Sequence, residues 1–182
     1  MKAQISNKEI WGIALPIMLG NLAQTIINFT DTAFLGHLGV VALGASMLAG
    51  LFYLLFTTVA AGFAIGIQII VARRFGERNC GRVGVIFEHG SLFVMLLGSL
   101  LFSVLYFFSD HLLMWLIDSQ AIYESSVEYI KYRQFGILFV CFNYLYRALY
   151  VGISNTKVIT YSTIIMAVVN ILLDYCLIFG NL

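Results

Sequence analysis

The stretch LGASMLAGLFYLLFTTVAAGFAIGIQIIVA, from Leu43 to Ala72, contains no charged residue and runs directly into Arg73 and Arg74. About 20 apolar residues suffice to cross the ~30 Å hydrocarbon core of a bilayer. This stretch is long for one crossing and too short for two, so its excess is expected to tilt or to extend into an interfacial or cytoplasmic segment. Four further apolar stretches flank it, at Ile10–Phe34, Val83–Phe108, Tyr129–Val151 and Val158–Phe179, each long enough to span. The whole chain is 61% apolar and 10% charged, with a mean hydropathy of +0.94, against roughly half and a quarter for soluble domains. The reading is an all-α integral membrane protein with about five transmembrane helices.

The distribution of charge orients these helices. Lys and Arg in short loops favour the cytoplasm. Lys2 and Lys8 precede the first helix, Arg73, Arg74, Arg78 and Arg82 follow the second, and Lys157 lies between the fourth and fifth. The Gly36–Ala42 link has no basic residue, and the Ser109–Glu128 link carries Asp110, Asp118, Glu124 and Glu128 without one. The N-terminus is therefore expected inside and Leu182 outside, in a multi-pass plasma (inner) membrane protein. The first apolar run is too long for a signal peptide and has no convincing small-x-small cleavage site, so it reads as a retained helix. The clustered basic residues do not form a nucleic-acid footprint. Trp115, Tyr123 and Tyr129 are expected as interfacial anchors, and His111–Ile117 as a candidate short interfacial helix.

Other features carry less chemistry. Cys80, Cys141 and Cys176 have neither CxxC spacing nor a disulfide framework and read as small buried or loop residues. Gly62-x-x-x-Gly66 suits close helix packing. Pro16 is the one proline; it is a candidate hinge, or else a proline tolerated because neighbours satisfy the freed carbonyl. Arg147, four residues after Asn143, is expected to snorkel or pair locally, and Gln68 to make a helix contact. Glu88 and His89 lack the further ligands of a metal site. No His-Glu-x-x-His or Gly-x-Ser-x-Gly motif supports an enzyme, and no catalytic residue or cofactor is assigned.

The informative residues are polar groups within the spans. Asn21, Gln24, Asn28 and Asp31 recur at spacings of three, four and three, forming one stripe on the first helix. Asn170 and Asp174, four apart, share a face of the last helix. Counting from the helix ends at about 1.5 Å per residue places both carboxylates in the outer half, at similar depth. An Asp at mid-membrane costs about 2.5–3.5 kcal/mol even on the mild insertion scale, so such residues are functional candidates. The alternative is that they pack helices or reach the outer headgroups. Carboxylate and amide oxygens together suit a small hard cation or a shared proton. Asp31, Asn170 and Asp174 are the candidate cation site, for H+ or Na+, with Asn21, Gln24 and Asn28 lining a cavity. Phe29, Phe34 and Tyr175 offer ring faces to a cationic solute.

Three segments carry a resemblance: ALPIMLGNLAQTIINFTDTAFLGHLG, VARRFGE and NILLDYCLIFG. Together they are similar to the multidrug and toxic compound extrusion (MATE) transporters, over nearly the whole chain. Asp31 sits in the family's Asp-Thr-x-x-x-Gly pattern, and Asn170 with Asp174 matches an Asn-x-x-x-Asp pattern of one prokaryotic branch. The resemblance implies a proton or sodium site in the N-terminal lobe and a bend near Pro16. It also implies twelve helices in two six-helix lobes around an alternating cavity. On that reading residues 1–182 are an incomplete N-terminal lobe, and the second lobe is a partner within the same polypeptide. The expected activity is secondary antiport exporting small organic cations or drugs. A lipid-linked precursor flippase of related architecture and a non-transporting membrane assembly subunit are the alternatives. The flippase would need a larger basic cavity, whereas the intramembrane ionisable residues read as mainly acidic.

Overall fold

A computed structural model of the chain describes residues 7–178 and 180. Its helices are α1 (Asn7–Leu38), α2 (Val40–Gly76), α3 (Cys80–Leu116), α4 (Gln120–Arg133), α5 (Ile137–Gly152) and α6 (Lys157–Ile178), with a 3-10 turn at Gln134–Gly136. α4, the turn and α5 form one apolar passage, so the described residues hold five helical segments long and apolar enough to cross a membrane. The expected second stretch is a single unbroken helix of 37 residues. At 1.5 Å per residue it is about 55 Å long and projects beyond a bilayer core.

The loops are shorter than the sequence reading allowed. Gly39 alone separates α1 from α2, at φ 119, a conformation that a Cβ disfavours. Only Ile117–Ser119 separates α3 from α4, so the expected Ser109–Glu128 link is mostly helical. His111–Ile117 is not a separate interfacial helix: α3 continues to Leu116 and Ile117 turns to extended backbone. Burial explains this extension, because Leu105, Ser109 and Leu113 keep facing the core beyond the expected end at Phe108. Phe179 and Leu182 lie outside the described residues, as does Lys2.

At the arginine-rich end, α2 closes with Arg73 and Arg74 both paired to Glu77, at 3.3 and 2.7 Å. The Arg74 hydrogen bond is the main reason that the Glu77 carboxyl titrates below its usual range. Arg78 then takes a positive φ of 58, and the Asn79 side chain accepts from the Arg82 amide at 3.2 Å, capping α3.

The apolar core lies among α2, α3, α4 and α5. Tyr53, Leu105, Leu113, Ile130, Ile137 and Leu145 are central to it, and it contains no residue of α1 or α6. Those two helices pack chiefly on each other. The close-packing glycines are Gly90, Gly98 and Gly152. A Cβ on Gly98 would meet Leu138 Cδ2 at 2.9 Å, and one on Gly152 would meet Val71 Cγ1 at 2.6 Å. The expectation for Gly62 and Gly66 is corrected: both are exposed and have no such neighbour within 4 Å. Their spacing creates a flat face, but no helix of the described chain lies on it. Trp115 is exposed, as an anchor would be, whereas Tyr123 and Tyr129 pack against the core. Cys80 is exposed at the start of α3 and Cys141 is buried.

Candidate functional site

Because α1 and α6 stand apart from the apolar core, their polar residues face a seam rather than a sealed interior. Asp31 on α1 lies within side-chain hydrogen-bond reach of both Asp174 and Asn170 on α6. All three are half-buried. The spacing of four on α6 places Asn170 and Asp174 one above the other, and antagonism between the two carboxylates is eased only by a proton or cation. Asp31 Oδ1 and Asn170 Oδ1 are buried and accept no hydrogen bond. Two unbonded acceptor oxygens beside a second carboxylate form a donor set suited to a hard cation, or to a shared proton.

A residue absent from the sequence reading also bears on this group. Arg133 closes α4 just before the 3-10 turn, and its charge acts on Asp31. Its guanidinium carbon lies 4.9 Å from the Tyr53 ring centre and 5.3 Å from that of Tyr129, and it hydrogen-bonds the Tyr129 hydroxyl. The two rings hold the cation in place. The signal was available in the sequence: Lys131 and Arg133 both fall inside the expected fourth span. With Arg147 they also correct the reading of the intramembrane charges as mainly acidic.

The α1 stripe continues away from Asp31 toward the arginine-rich end. Gln24 Nε2 donates to Asn28 Oδ1 at 3.4 Å. One turn further, Asn21 Oδ1 accepts from Arg147 Nη2 of α5 at 3.1 Å. Arg147 therefore neither snorkels nor pairs within its own helix. Gln24, Asn143, Arg147, Ser162 and Thr163 line a cavity of about 120 Å³ between α1, α5 and α6. The expected lining role thus meets a defined cavity at Gln24, while Asn21 borders it through Arg147, and Asn28 connects the two stations. α1 passes through Pro16 as continuous helix, and Thr160 Oγ1 of α6 donates to the Pro16 carbonyl at 2.7 Å. Phe29 and Tyr175 are exposed and Phe34 is half-buried. His89 Nδ1 donates to the Val85 carbonyl of its own helix at 2.8 Å. Among the described residues, no three His, Cys, Asp or Glu side chains converge on a metal position.

A five-span helical body with an ionisable seam near its surface defines a polytopic membrane transporter. Residues 16–176 match the family model described as MatE, and the chain belongs to that family. It is 29% identical over 169 residues to a probable multidrug resistance protein NorM of Agrobacterium fabrum, covering 93% of this chain and 36% of that protein. A probable multidrug resistance protein NorM of Thermotoga maritima is 28% identical over 175 residues, covering 96% and 38%. The chain thus spans little more than a third of the length of these relatives. Among solved structures, a MOP superfamily transporter from Pyrococcus furiosus superposes with a TM-score of 0.90 at 23% identity, covering 95% of this chain and 38% of that one. An outward-facing multidrug resistance MATE family transporter gives 0.87 at 23% identity, with the same coverage. The fold of the described residues is that of part of such a transporter.

Proposed function

We propose that this chain contributes the ion-coupling half of a secondary antiporter that exports small organic molecules in exchange for H+ or Na+. The observation that carries the reading is the pair of buried, unbonded oxygens, Asp31 Oδ1 and Asn170 Oδ1, within reach of the Asp174 carboxylate. Intramembrane carboxylates are retained against a desolvation penalty of several kcal/mol where they bind something. A proton or Na+ supplies the positive charge that this set lacks. Binding it draws α1 and α6 together across Asp31 and Asn170, the helix pair already least attached to the apolar core.

Coupling follows from linkage. If the bound ion lowers affinity for the organic solute in the seam, the solute lowers affinity for the ion by the same factor. The natural orientation places the N-terminus and Arg73–Arg82 in the cytoplasm and the Gly39 end outside, so the ion enters at the outer half of the seam. Remaining helices of the same polypeptide supply the opposite wall of the solute path.

The test is Asp31→Asn in the natural full-length protein, reconstituted in vesicles with an imposed pH or Na+ gradient. Gradient-driven efflux is abolished with membrane expression intact. Efflux equal to that of the unsubstituted protein overturns the assignment.

A further inference from the structure

Arg147 sits where a guanidinium needs a reason. It lies five residues before the end of α5, about 7.5 Å along the axis. Helical side chains lean toward their helix N-terminus, which for α5 is toward the membrane interior. The hydrogen bond confirms that direction: Asn21 lies eleven residues into the first span, about 16 Å from its start. The guanidinium therefore extends inward, away from the nearer headgroups. Among the described residues no carboxylate lies within ion-pair distance of it, the ion pairs there being those of Arg73 and Arg74 with Glu77. Asn21 takes one of five N–H donors, and a planar fork of two N–H groups matches a carboxylate or phosphate.

The surroundings of Arg147 add donors rather than negative charge. The amides of Gln24 and Asn143 and the hydroxyls of Ser162 and Thr163 border the same cavity. Its volume of about 120 Å³ is below the roughly 300–1,000 Å³ of a pocket for a whole drug-sized molecule, so it holds one functional group while the rest lies along the seam. A purely cationic solute would meet like charge here.

We propose that Arg147 and this cavity form an anchoring subsite for an anionic oxygen group of the transported molecule, with a carboxylate-bearing or zwitterionic organic solute as cargo. The inference names the cargo class of the antiporter proposed above and rests on that reading. It places cargo and coupling ion at two stations of one polar stripe: Arg147 with Asn21 and Gln24, and Asp31 with Asn170 and Asp174. Gln24 and Asn28 join them.

The probes are rhodamine 110, which carries a free carboxylate, and rhodamine 123, its methyl ester, with binding read by fluorescence anisotropy on the purified full-length protein in phosphatidylcholine nanodiscs. The expected result is a preference for the free carboxylate of about tenfold, the scale of one charge-assisted hydrogen bond. Arg147→Gln removes the preference and leaves the affinity for the ester unchanged or higher. Should Arg147→Gln fail to fold, Asn21→Asp sets a carboxylate against the guanidinium and removes the preference in the same way. Equal binding of the two dyes by the unsubstituted protein overturns the proposal, as does a preference that survives both substitutions. Loss of the preference when phosphatidylglycerol replaces a third of the lipid assigns the subsite to an anionic headgroup and overturns the solute reading. Asp31→Asn keeps the dye preference, so failure of ion coupling and failure of the anchoring subsite are separately visible.

Discussion

The Thr160 hydroxyl of α6 donates to the Pro16 carbonyl of α1 at 2.7 Å, across 144 positions of sequence. Pro16 lacks the N–H that would bond back to Gly12, so α1 is weakened on that turn. Thr160 fastens the weakened turn to the helix that carries Asn170 and Asp174. The proline is thus a point at which bending of α1 is resisted by α6 rather than by its own backbone.

Thr160→Val keeps the shape and removes that donor. The expected loss is about 1 kcal/mol of α1–α6 association. Hydrogen exchange of the full-length protein checks it, as faster exchange in residues 12–20 with the α2–α5 core unchanged.

Gly152→Ala sets a methyl group against Val71 Cγ1 at 2.6 Å and near the Gln68 carbonyl at 3.2 Å, where backbone leaves little room to yield. The substitution should destabilise the α2–α5 contact by about 1–3 kcal/mol. Gly62→Ala, which meets nothing within 4 Å, should leave the thermal unfolding temperature in detergent unchanged or slightly raised.

Arg133→Gln removes a positive charge that acts on Asp31 while leaving a side chain able to hydrogen-bond the Tyr129 hydroxyl. Less repulsion of an incoming cation should lower the half-saturating concentration of the coupling ion by about tenfold, or about 1.4 kcal/mol. Gradient-driven transport titrated against that ion measures the change. A tenfold rise in place of a fall would show that Arg133 shapes the site by contact rather than by charge.

Cys80 is exposed at the arginine-rich end and Cys141 is buried in the core. A membrane-impermeant maleimide should therefore modify the Cys80 peptide in inside-out vesicles and spare it in right-side-out ones, as read by mass spectrometry. Labelling from the outer face would reverse the orientation argued from the loop charges.

The sequence was legible where a one-dimensional property decides the outcome. Crossing a bilayer requires only length and apolarity, so five spans followed from five runs such as Leu43–Ala72, although polar ends such as Arg73–Gly76 and Asp110–Leu116 proved helical too. The α1 stripe was legible because residues three and four apart share a face whatever surrounds them, and the same rule paired Asn170 with Asp174. The 3-10 break at Gln134–Gly136 was not, since nothing in the periodicity of Tyr129–Val151 marks it.

By itself, then, the sequence determined that the chain crosses a membrane as helices, which residues share a helical face, and which family it resembles. Tertiary structure alone decided which faces meet. It set Arg133 on the rings of Tyr53 and Tyr129, turned Arg147 inward to Asn21, and chose Gly98 and Gly152 over Gly62 and Gly66 for close packing. The physical reason is that helix formation in a membrane is satisfied within each segment, while the approach of one helix to another depends on shape and polar pairing between distant residues.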